Sequence, residues 1–149
     1  MEISELEAYE AIRNLIVAYN SFGDRGKFDQ LVDLFTVDAA MDIGDDRIYQ
    51  GINQIKSIFT STSASVSDDV SISYIHHHTS SPLIELEAEK NAQAKTYFSV
   101  YMDHGLDHWG RYEDKFEIRD KIWFFTHRKV RTDGWVPNGW ASNHLGKNK

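Results

Sequence analysis

The stretch Tyr74-Ile-His-His-His-Thr-Ser-Ser-Pro-Leu-Ile-Glu85 marks the point where the pattern of apolar residues along the chain changes. Before it, apolar residues recur every three or four positions, which is typical of amphipathic helices. After it, apolar and polar residues alternate, which predicts antiparallel strands. Helices followed by long strands predict an α+β fold in which one curved antiparallel or mixed sheet wraps around the N-terminal helices. The wide end of such a sheet is expected to hold a cone-shaped pocket.

The residues before Ser71 favour helices with short connections. Ser4-Glu-Leu-Glu7 has the sequence of a capping box and predicts the start of the first helix. Two glycines in Phe22-Gly-Asp-Arg-Gly26 predict a turn after it. The elements expected here are helices over residues 4–20, 27–35 and 51–59, with short strands over 39–42 and 47–50. The serine-rich residues 61–69 are expected to form a surface loop or a mobile lid.

The residues after Ser71 favour long strands. Four strands are expected, over residues 77–87, 92–102, 109–119 and 122–130. A tight turn at Asp120-Lys121 joins the last two strands into a hairpin. The tail, residues 132–149, is expected to cover a sheet edge or a subunit contact with Trp135 and Trp140.

The composition fits one domain over residues 1–149 and argues against several classes of partner and site. Nucleic acid is not expected, because the formal charge is −7 and binding phosphates needs a basic surface. The absence of cysteine excludes disulfides, a thiolate nucleophile and cysteine metal sites. Four Trp, seven Tyr and eight Phe can fill a core and line a pocket for an apolar small molecule.

The sequence gives no sign of a membrane partner. No stretch is long and apolar enough to cross a bilayer. The first residues are acidic, unlike a signal or transit peptide, so the cytoplasm is the expected location.

The three consecutive histidines supply a candidate proton-transfer group. Histidine gives or takes a proton near neutral pH more readily than any other side chain. Successive side chains on a strand face opposite ways, so His77 is expected to face the core while His76 and His78 face outward. A register slip of one residue would make His76 or His78 the base instead. His76 and His78 share a face, as metal ligands can, but no metal site is expected because the remaining histidines are scattered.

Asp24 is the candidate partner of His77. A carboxylate bonded to one imidazole nitrogen fixes the tautomer and stabilises the imidazolium, leaving the other nitrogen to take a proton from carbon or water. The alternative is that Asp24 is a turn residue between two glycines.

Several segments resemble one protein family. They are Asp24-Arg-Gly-Lys-Phe-Asp-Gln-Leu31, a histidine eight residues before a strand glutamate (His77 and Glu85), Gly110-Arg-Tyr-Glu-Asp-Lys-Phe116 and Ile122-Trp-Phe-Phe-Thr-His-Arg-Lys-Val130. In order and spacing these resemble the SnoaL-like branch of the nuclear transport factor 2 superfamily over nearly the whole chain. The resemblance implies a cystatin-like α+β barrel. The branch contains dehydratases, a dehydrochlorinase, polyketide cyclases and isomerases, so the fold alone does not name a reaction.

The resemblance also implies roles for individual residues. Two of the eliminating members of the branch abstract a proton with a histidine–aspartate pair, and the resemblance places those positions at His77 and Asp24. The strand arginine of the dehydrochlorinase falls on Arg128, whereas its first-helix lysine falls on Tyr19, a departure that argues against the same halide substrate.

Further candidates complete the predicted site. Arg128 is expected either to stabilise a leaving anion or enolate or to form a surface or interface salt bridge. Tyr19 and Tyr112 are expected either to hydrogen-bond substrate or to fill the core, and Asp114 is a candidate cavity carboxylate. Trp109 is a candidate for substrate binding; with Tyr97 and Tyr101 it is alternatively part of a subunit contact.

The function expected from these features is a cofactor-independent lyase or isomerase acting on a small, largely apolar carbonyl or hydroxylated ring compound. One alternative is a non-catalytic small-molecule binder or dimerisation module of the same fold. Another is a polyketide cyclase or hydrolase that uses the same base. A homo-oligomer is expected, either a dimer or a trimer.

Overall fold

Helices come first and a large sheet follows, in residues 1–145, which are the residues that the computed structural model describes. The elements in chain order are α1 (Ile3–Asp24), α2 (Phe28–Val32), β1 (Phe35–Asp42), β2 (Ile48–Gln50), α3 (Ile52–Ser67), β3 (His76–Thr79), β4 (Leu83–Leu86), β5 (Asn91–Met102), β6 (Gly105–Arg119), β7 (Ile122–Trp135) and α4 (Trp140–His144). None of these helices is long and apolar enough to cross a membrane. The predicted α+β class is confirmed.

The sheet is mixed, curved and open. Its strand order is β2-β1-β7-β6-β5-β3, and β4 also pairs with β5. The pairing of β1 with β7 is parallel, whereas β5, β6 and β7 form long antiparallel pairs. The sheet does not close on itself, because its order begins with β2 and ends with β3.

The core lies between α1 and the inner face of this sheet. The apolar face of α1 buries Ile12, Leu15, Ile16 and Tyr19, at the spacing that the sequence predicts for a helix. On β5 the even-numbered residues from Ala92 to Met102 are buried, and their neighbours are more exposed. Full burial of one large apolar side chain contributes about 1.5–3 kcal/mol, so this contact holds α1 in place.

Helix α1 is longer than the sequence predicts at both ends. It begins at Ile3, where the Glu2 backbone N–H donates to the Glu5 carboxylate at 2.8 Å, so the expected capping box at Ser4 is wrong. It ends at Asp24 rather than near Asn20. Gly23 continues the helix, and only Gly26 takes the left-handed backbone conformation that ends it (φ +71°).

Several other boundaries also differ from the sequence-based expectation. Helix α2 ends at Val32, because Phe35 already pairs with Phe125 in the sheet. Helix α3 runs to Ser67, so most of the residues expected as a loop, 61–69, are helical. The single strand expected over residues 77–87 is two strands, because Pro82 between them has no N–H for the ladder.

Candidate active site

His77 and Asp24 are brought into contact by α1 and β3. The Asp24 carboxylate lies 2.6 Å from His77 Nδ1 through Oδ1 and accepts the His77 backbone N–H at 2.8 Å through Oδ2. The extra turn of α1 is what carries Asp24 as far as β3. Asp24 is therefore part of a helix, not of the glycine turn in which the sequence placed it.

Strand pairing decides which of the three histidines faces inward. His77 lies opposite Val100, a fully buried residue of β5. His76 and His78 are exposed, and their rings lie beside Tyr74 and Tyr101. The structure thus directs one imidazole of the three toward the interior.

A cavity of about 560 Å³ opens beside this pair. His77, Asp24, Tyr19 and Tyr112 all line it, and most of the remaining lining is apolar or aromatic. Such a cavity suits a small apolar molecule that is oriented by a few polar groups. Within residues 1–145, His77 Nε2 has no hydrogen-bond partner, so this nitrogen is available to a bound molecule.

Arg128 lies directly behind the two tyrosines. Its guanidinium carbon is 4.0 Å from the ring centroid of Tyr19 and 3.6 Å from that of Tyr112, which is cation–π geometry. A β-bulge at Thr126 shifts the register of β7 and turns Arg128 inward. Arg128 is fully buried, which argues against a surface salt bridge, the second of its two expected roles. It is also not among the residues that line the cavity.

The partner of Arg128 is Asp114. Asp114 accepts two hydrogen bonds from Arg128, at 2.8 Å from Nε and 3.1 Å from Nη2, and both side chains are fully buried. Burial opposes the charge on Arg128, but the Asp114 carboxylate raises the pKa of Arg128 above its ordinary value. Asp114 is therefore committed to an internal ion pair and does not line the cavity as the sequence suggested.

The two tyrosines stay protonated across the physiological pH range. Burial raises the pKa of Tyr19 to about 12, against the opposing charge of Arg128. Burial also raises the pKa of Tyr112, whose hydroxyl donates to Asn20 Oδ1 at 3.3 Å. Among the described residues, the Tyr19 hydroxyl makes a long hydrogen bond to Met41 Sδ at 4.0 Å and also interacts with Arg128, which leaves it able to bind a ligand atom.

Trp109 lies on the other face of the sheet. The inward-facing residues of β6 around it are His108, Gly110 and Tyr112, so alternation sends Trp109 outward, where its ring covers Gly134. Trp109 therefore does not line the cavity, where its predicted role in substrate binding would place it.

A family comparison agrees with this fold and order of residues. The sequence model described as the SnoaL-like domain matches residues 4–129. The chain belongs to the SnoaL-like family. No curated protein has a sequence that matches it.

Solved structures of SnoaL-like fold are similar to this chain over almost its full length. A candidate scytalone dehydratase from Novosphingobium aromaticivorans has a TM-score of 0.78 at 19% identity, covering 91% of each chain. A hexachlorocyclohexane dehydrochlorinase from Novosphingobium barchaimii has a TM-score of 0.77 at 15% identity, covering 92% of this chain and 94% of its own. A cystatin-like protein of unknown function from Nostoc punctiforme has a TM-score of 0.75 at 18% identity, covering 92% and 98%. At these identities the likeness shows the fold.

Three polar residues of this SnoaL-like site were not predicted. His108 lines the cavity, and its Nδ1 lies 2.8 Å from the buried Asp107. Asn20 also lines the cavity, and its amide nitrogen is buried without a partner in the described part of the chain. The sequence contains a signal for two of them. His108 lies four residues before Tyr112 on the same strand face, and Asn20 lies one helical turn before Asp24. Asp107 gave no such signal, because it is the extra residue of a β-bulge.

Proposed function

We propose that this SnoaL-like protein is a cofactor-independent lyase or isomerase that acts on a small, largely apolar cyclic or carbonyl compound. His77 takes a proton from a substrate carbon, and Asp24 orients and stabilises the imidazolium that forms. In an elimination the released electron pair forms a double bond as the leaving group departs. In an isomerisation the proton returns to a different carbon.

The observation that carries this proposal is the two-point contact between Asp24 and His77. One carboxylate oxygen faces the ring nitrogen at 2.6 Å and the other binds the backbone N–H of the same residue at 2.8 Å. This arrangement puts the proton of the neutral ring on Nδ1 and the lone pair on Nε2, beside the cavity. A base held in this way typically contributes about 10²- to 10⁴-fold in rate.

The residues opposite the base support the handling of negative charge. As carbon loses a proton, charge develops on a substrate oxygen or a leaving group, and preorganised donors lower the barrier. The hydroxyl groups of Tyr19 and Tyr112 both remain protonated. That of Tyr19 is the better placed to donate to substrate, because the Tyr112 hydroxyl already donates to Asn20 Oδ1. Arg128 places a permanent positive charge directly behind both rings. We therefore assign Arg128 an electrostatic role exerted through the tyrosines and not by direct contact.

The alternative of a non-catalytic binder of the same fold has a different expected geometry. A filled cavity, or a wide separation of Asp24 from His77, would favour it. An open cavity and a hydrogen-bonded pair support the enzyme instead.

The proposal is tested in two stages. A panel of cyclic ketones, alcohols and halides is first screened for compounds that raise the melting temperature, since binding to the native state stabilises it. Turnover of the compounds that bind is then measured for the wild type and for His77→Ala and Asp24→Asn. Loss of turnover in both variants, with folding and binding retained, is the expected result. Full activity in folded His77→Ala would refute the proposal.

A further inference from the structure

The imidazole of a second histidine–carboxylate pair faces the same cavity. His108 lines it from β6, and its Nδ1 lies 2.8 Å from Asp107 Oδ2. The ring lies between two aromatic neighbours, with its centroid 6.2 Å from that of Phe98 and 5.8 Å from that of Trp140. Phe98 also lies beside His77, with ring centroids 6.4 Å apart, so both histidines have this phenylalanine as a neighbour. The mechanism proposed above makes no use of His108.

The Asp107 carboxylate accepts four hydrogen bonds, two at each oxygen. It is fully buried and accepts the backbone N–H groups of Trp140 at 2.7 Å and Ala141 at 3.0 Å. The rings of His104 and His108 complete its contacts at 2.8 Å each. Burial alone would raise the pKa of Asp107, but the hydrogen bonds from His108 and from the backbone lower it. Asp107 is therefore ionised and fixes the proton of His108 on Nδ1.

The remaining nitrogen of His108 then carries a lone pair. Burial lowers the pKa of His108 against the effect of Asp107, and the nearby His77 lowers it further, so the ring is neutral at neutral pH. Within residues 1–145, His108 Nε2 has no hydrogen-bond partner. This atom is also not fully buried, so a bound molecule can reach it. A neutral acceptor thus stands at the cavity wall.

We propose that His108 Nε2 accepts a hydrogen bond from a hydroxyl group of the substrate, so that the pocket selects hydroxylated ring compounds over their halide or ether analogues. This inference rests on the proposed function, whose substrate class it narrows. A halogen or an ether oxygen has no hydrogen to donate, so neither can give this nitrogen a hydrogen bond. Sites that hydrogen-bond a substrate hydroxyl discriminate well against analogues without one, because their own polar group is then left unpaired.

The chain offers a matched pair of variants for the test. His108→Phe keeps a ring of similar size among its aromatic neighbours but removes the acceptor. His104→Phe removes one donor from the same carboxylate, yet His104 does not line the cavity. In either variant Asp107 keeps three of its four contacts, which favours retention of the fold.

The probes are 2-naphthol and 2-chloronaphthalene, which differ by a hydroxyl in place of a halogen. Binding of each to the wild type and to both variants is measured by calorimetry at pH 7. The preference for 2-naphthol is expected to fall roughly 3- to 10-fold in His108→Phe, the value of one net hydrogen bond, and to be unchanged in His104→Phe. An unchanged preference in His108→Phe, or no binding of either compound by the wild type, overturns the proposal.

A measurement without ligand tests the same point. Nitrogen-15 NMR of the histidine rings at pH 7 is expected to show His108 as the neutral tautomer protonated on Nδ1. A proton on Nε2 at this pH would also overturn the proposal. Neither test measures turnover, so the two proposals can fail separately. Hydroxyl selectivity that depends on His108 without catalysis that depends on His77 would leave this inference standing and refute the proposed reaction. Catalysis that depends on His77 without such selectivity would do the opposite.

Discussion

Asp24 holds both the backbone and the ring of His77, so it sets the position of the strand residue as well as the tautomer of its side chain. An amide at this position keeps the size and one acceptor oxygen, but it loses the negative charge that stabilises an imidazolium. The effect of this one change therefore separates orientation from charge.

Asp24→Asn is expected to lower kcat by about 10²- to 10⁴-fold with little change in KM, because the charge acts on the transition state. The measurement is steady-state turnover of a compound found by the thermal screen. Asp29→Asn is the matched control, since Asp29 is an exposed carboxylate bonded to Lys56 nearby. Equal activity of the two variants would remove the assigned role.

The buried Arg128–Asp114 pair predicts a large and non-additive effect on stability. Removing one partner leaves an uncompensated buried charge, so Arg128→Met or Asp114→Leu alone is expected to cost about 3–5 kcal/mol in the free energy of unfolding. The double variant is expected to recover much of this loss. Urea denaturation of the two single variants and the double variant measures the coupling. Simple additivity of the two single losses would contradict this account.

The lowered pKa of His108 predicts a pH dependence of stability. The unfolded chain takes up this proton near pH 6.5, whereas the folded protein takes it up only at lower pH. Below about pH 6.5 the unfolded state therefore binds more protons, and stability falls with falling pH by up to about 1.4 kcal/mol per unit. His108→Phe is expected to flatten this part of the curve in urea titrations from pH 7 to pH 5. A curve of the same slope in the variant would show that other groups cause it.

At the residue scale the sequence was sufficient where alternation along a regular strand was the whole argument. His77 and Tyr112 face inward as alternation requires. The same rule places Trp109 on the face of β6 opposite to Tyr112. Arg128 faces inward because of a bulge, and bulges leave no reliable mark in the order of residue types.

At the scale of elements, the short helix α4 depends on a single side chain from another strand. Asp107 on β6 accepts the first two backbone N–H groups of α4, and Trp140 Nε1 donates to Ser65 Oγ on α3 at 2.8 Å. Helix α4 thus joins the sheet to α3 beside the cavity, which Trp140 lines.

Asp107→Asn is expected to loosen α4, because hydrogen bonds to a charged group contribute about 1.5–3 kcal/mol each and an amide accepts them more weakly. Faster hydrogen exchange at the amide of Ala141 and a red shift of Trp fluorescence are the expected signs. Asp133→Asn serves as control, since Asp133 is a partly exposed carboxylate bonded to Arg111. If exchange at Ala141 is unchanged, the helix is held by other contacts.

Element types were easier to predict from the sequence than element boundaries. The helix α3 passes through the serine-rich residues because Val66 and Ser65 make contacts that composition does not show. Gly23 stays helical, whereas Gly26 takes the left-handed conformation that ends α1. The sequence does not tell these two glycines apart. Gly23 packs against Leu31, which a Cβ at this position would meet at 3.4 Å.

At the scale of the whole molecule, the outer face of the sheet carries exposed aromatic residues. Tyr97, Tyr101 and Trp109 lie on the outward side of β5 and β6, with Tyr97 70% exposed. Burying such a face against a second copy would remove apolar area from water. The homo-oligomer expected from the sequence stays a prediction.

Light scattering of the purified protein is expected to give a dimer or trimer mass, and Tyr97→Glu is expected to shift it toward the monomer. Val37→Glu is the control, because Val37 is 74% exposed but lies on β1, away from this patch. A monomeric wild type at micromolar concentration would refute the prediction.

The alternation of apolar and polar residues does not predict which strands pair with each other in the sheet. Each strand shows which residues face inward, but the parallel pairing of β1 with β7 joins segments far apart in the chain. The fold class was accessible from the order of helices and strands together with family resemblance, and it is confirmed. The single-domain assignment to residues 1–149 remains a prediction.

Within the described chain, β1 and β2 reach the remaining strands through β7, and β7 is the last strand to leave the ribosome. Nascent chains that stop before residue 122 are therefore expected to lack the surface on which the first two strands assemble. Closure of such distant segments is slow, so the newly made N-terminal half spends this interval with apolar surface uncovered. Chaperone demand during synthesis should accordingly be greatest just before β7 emerges.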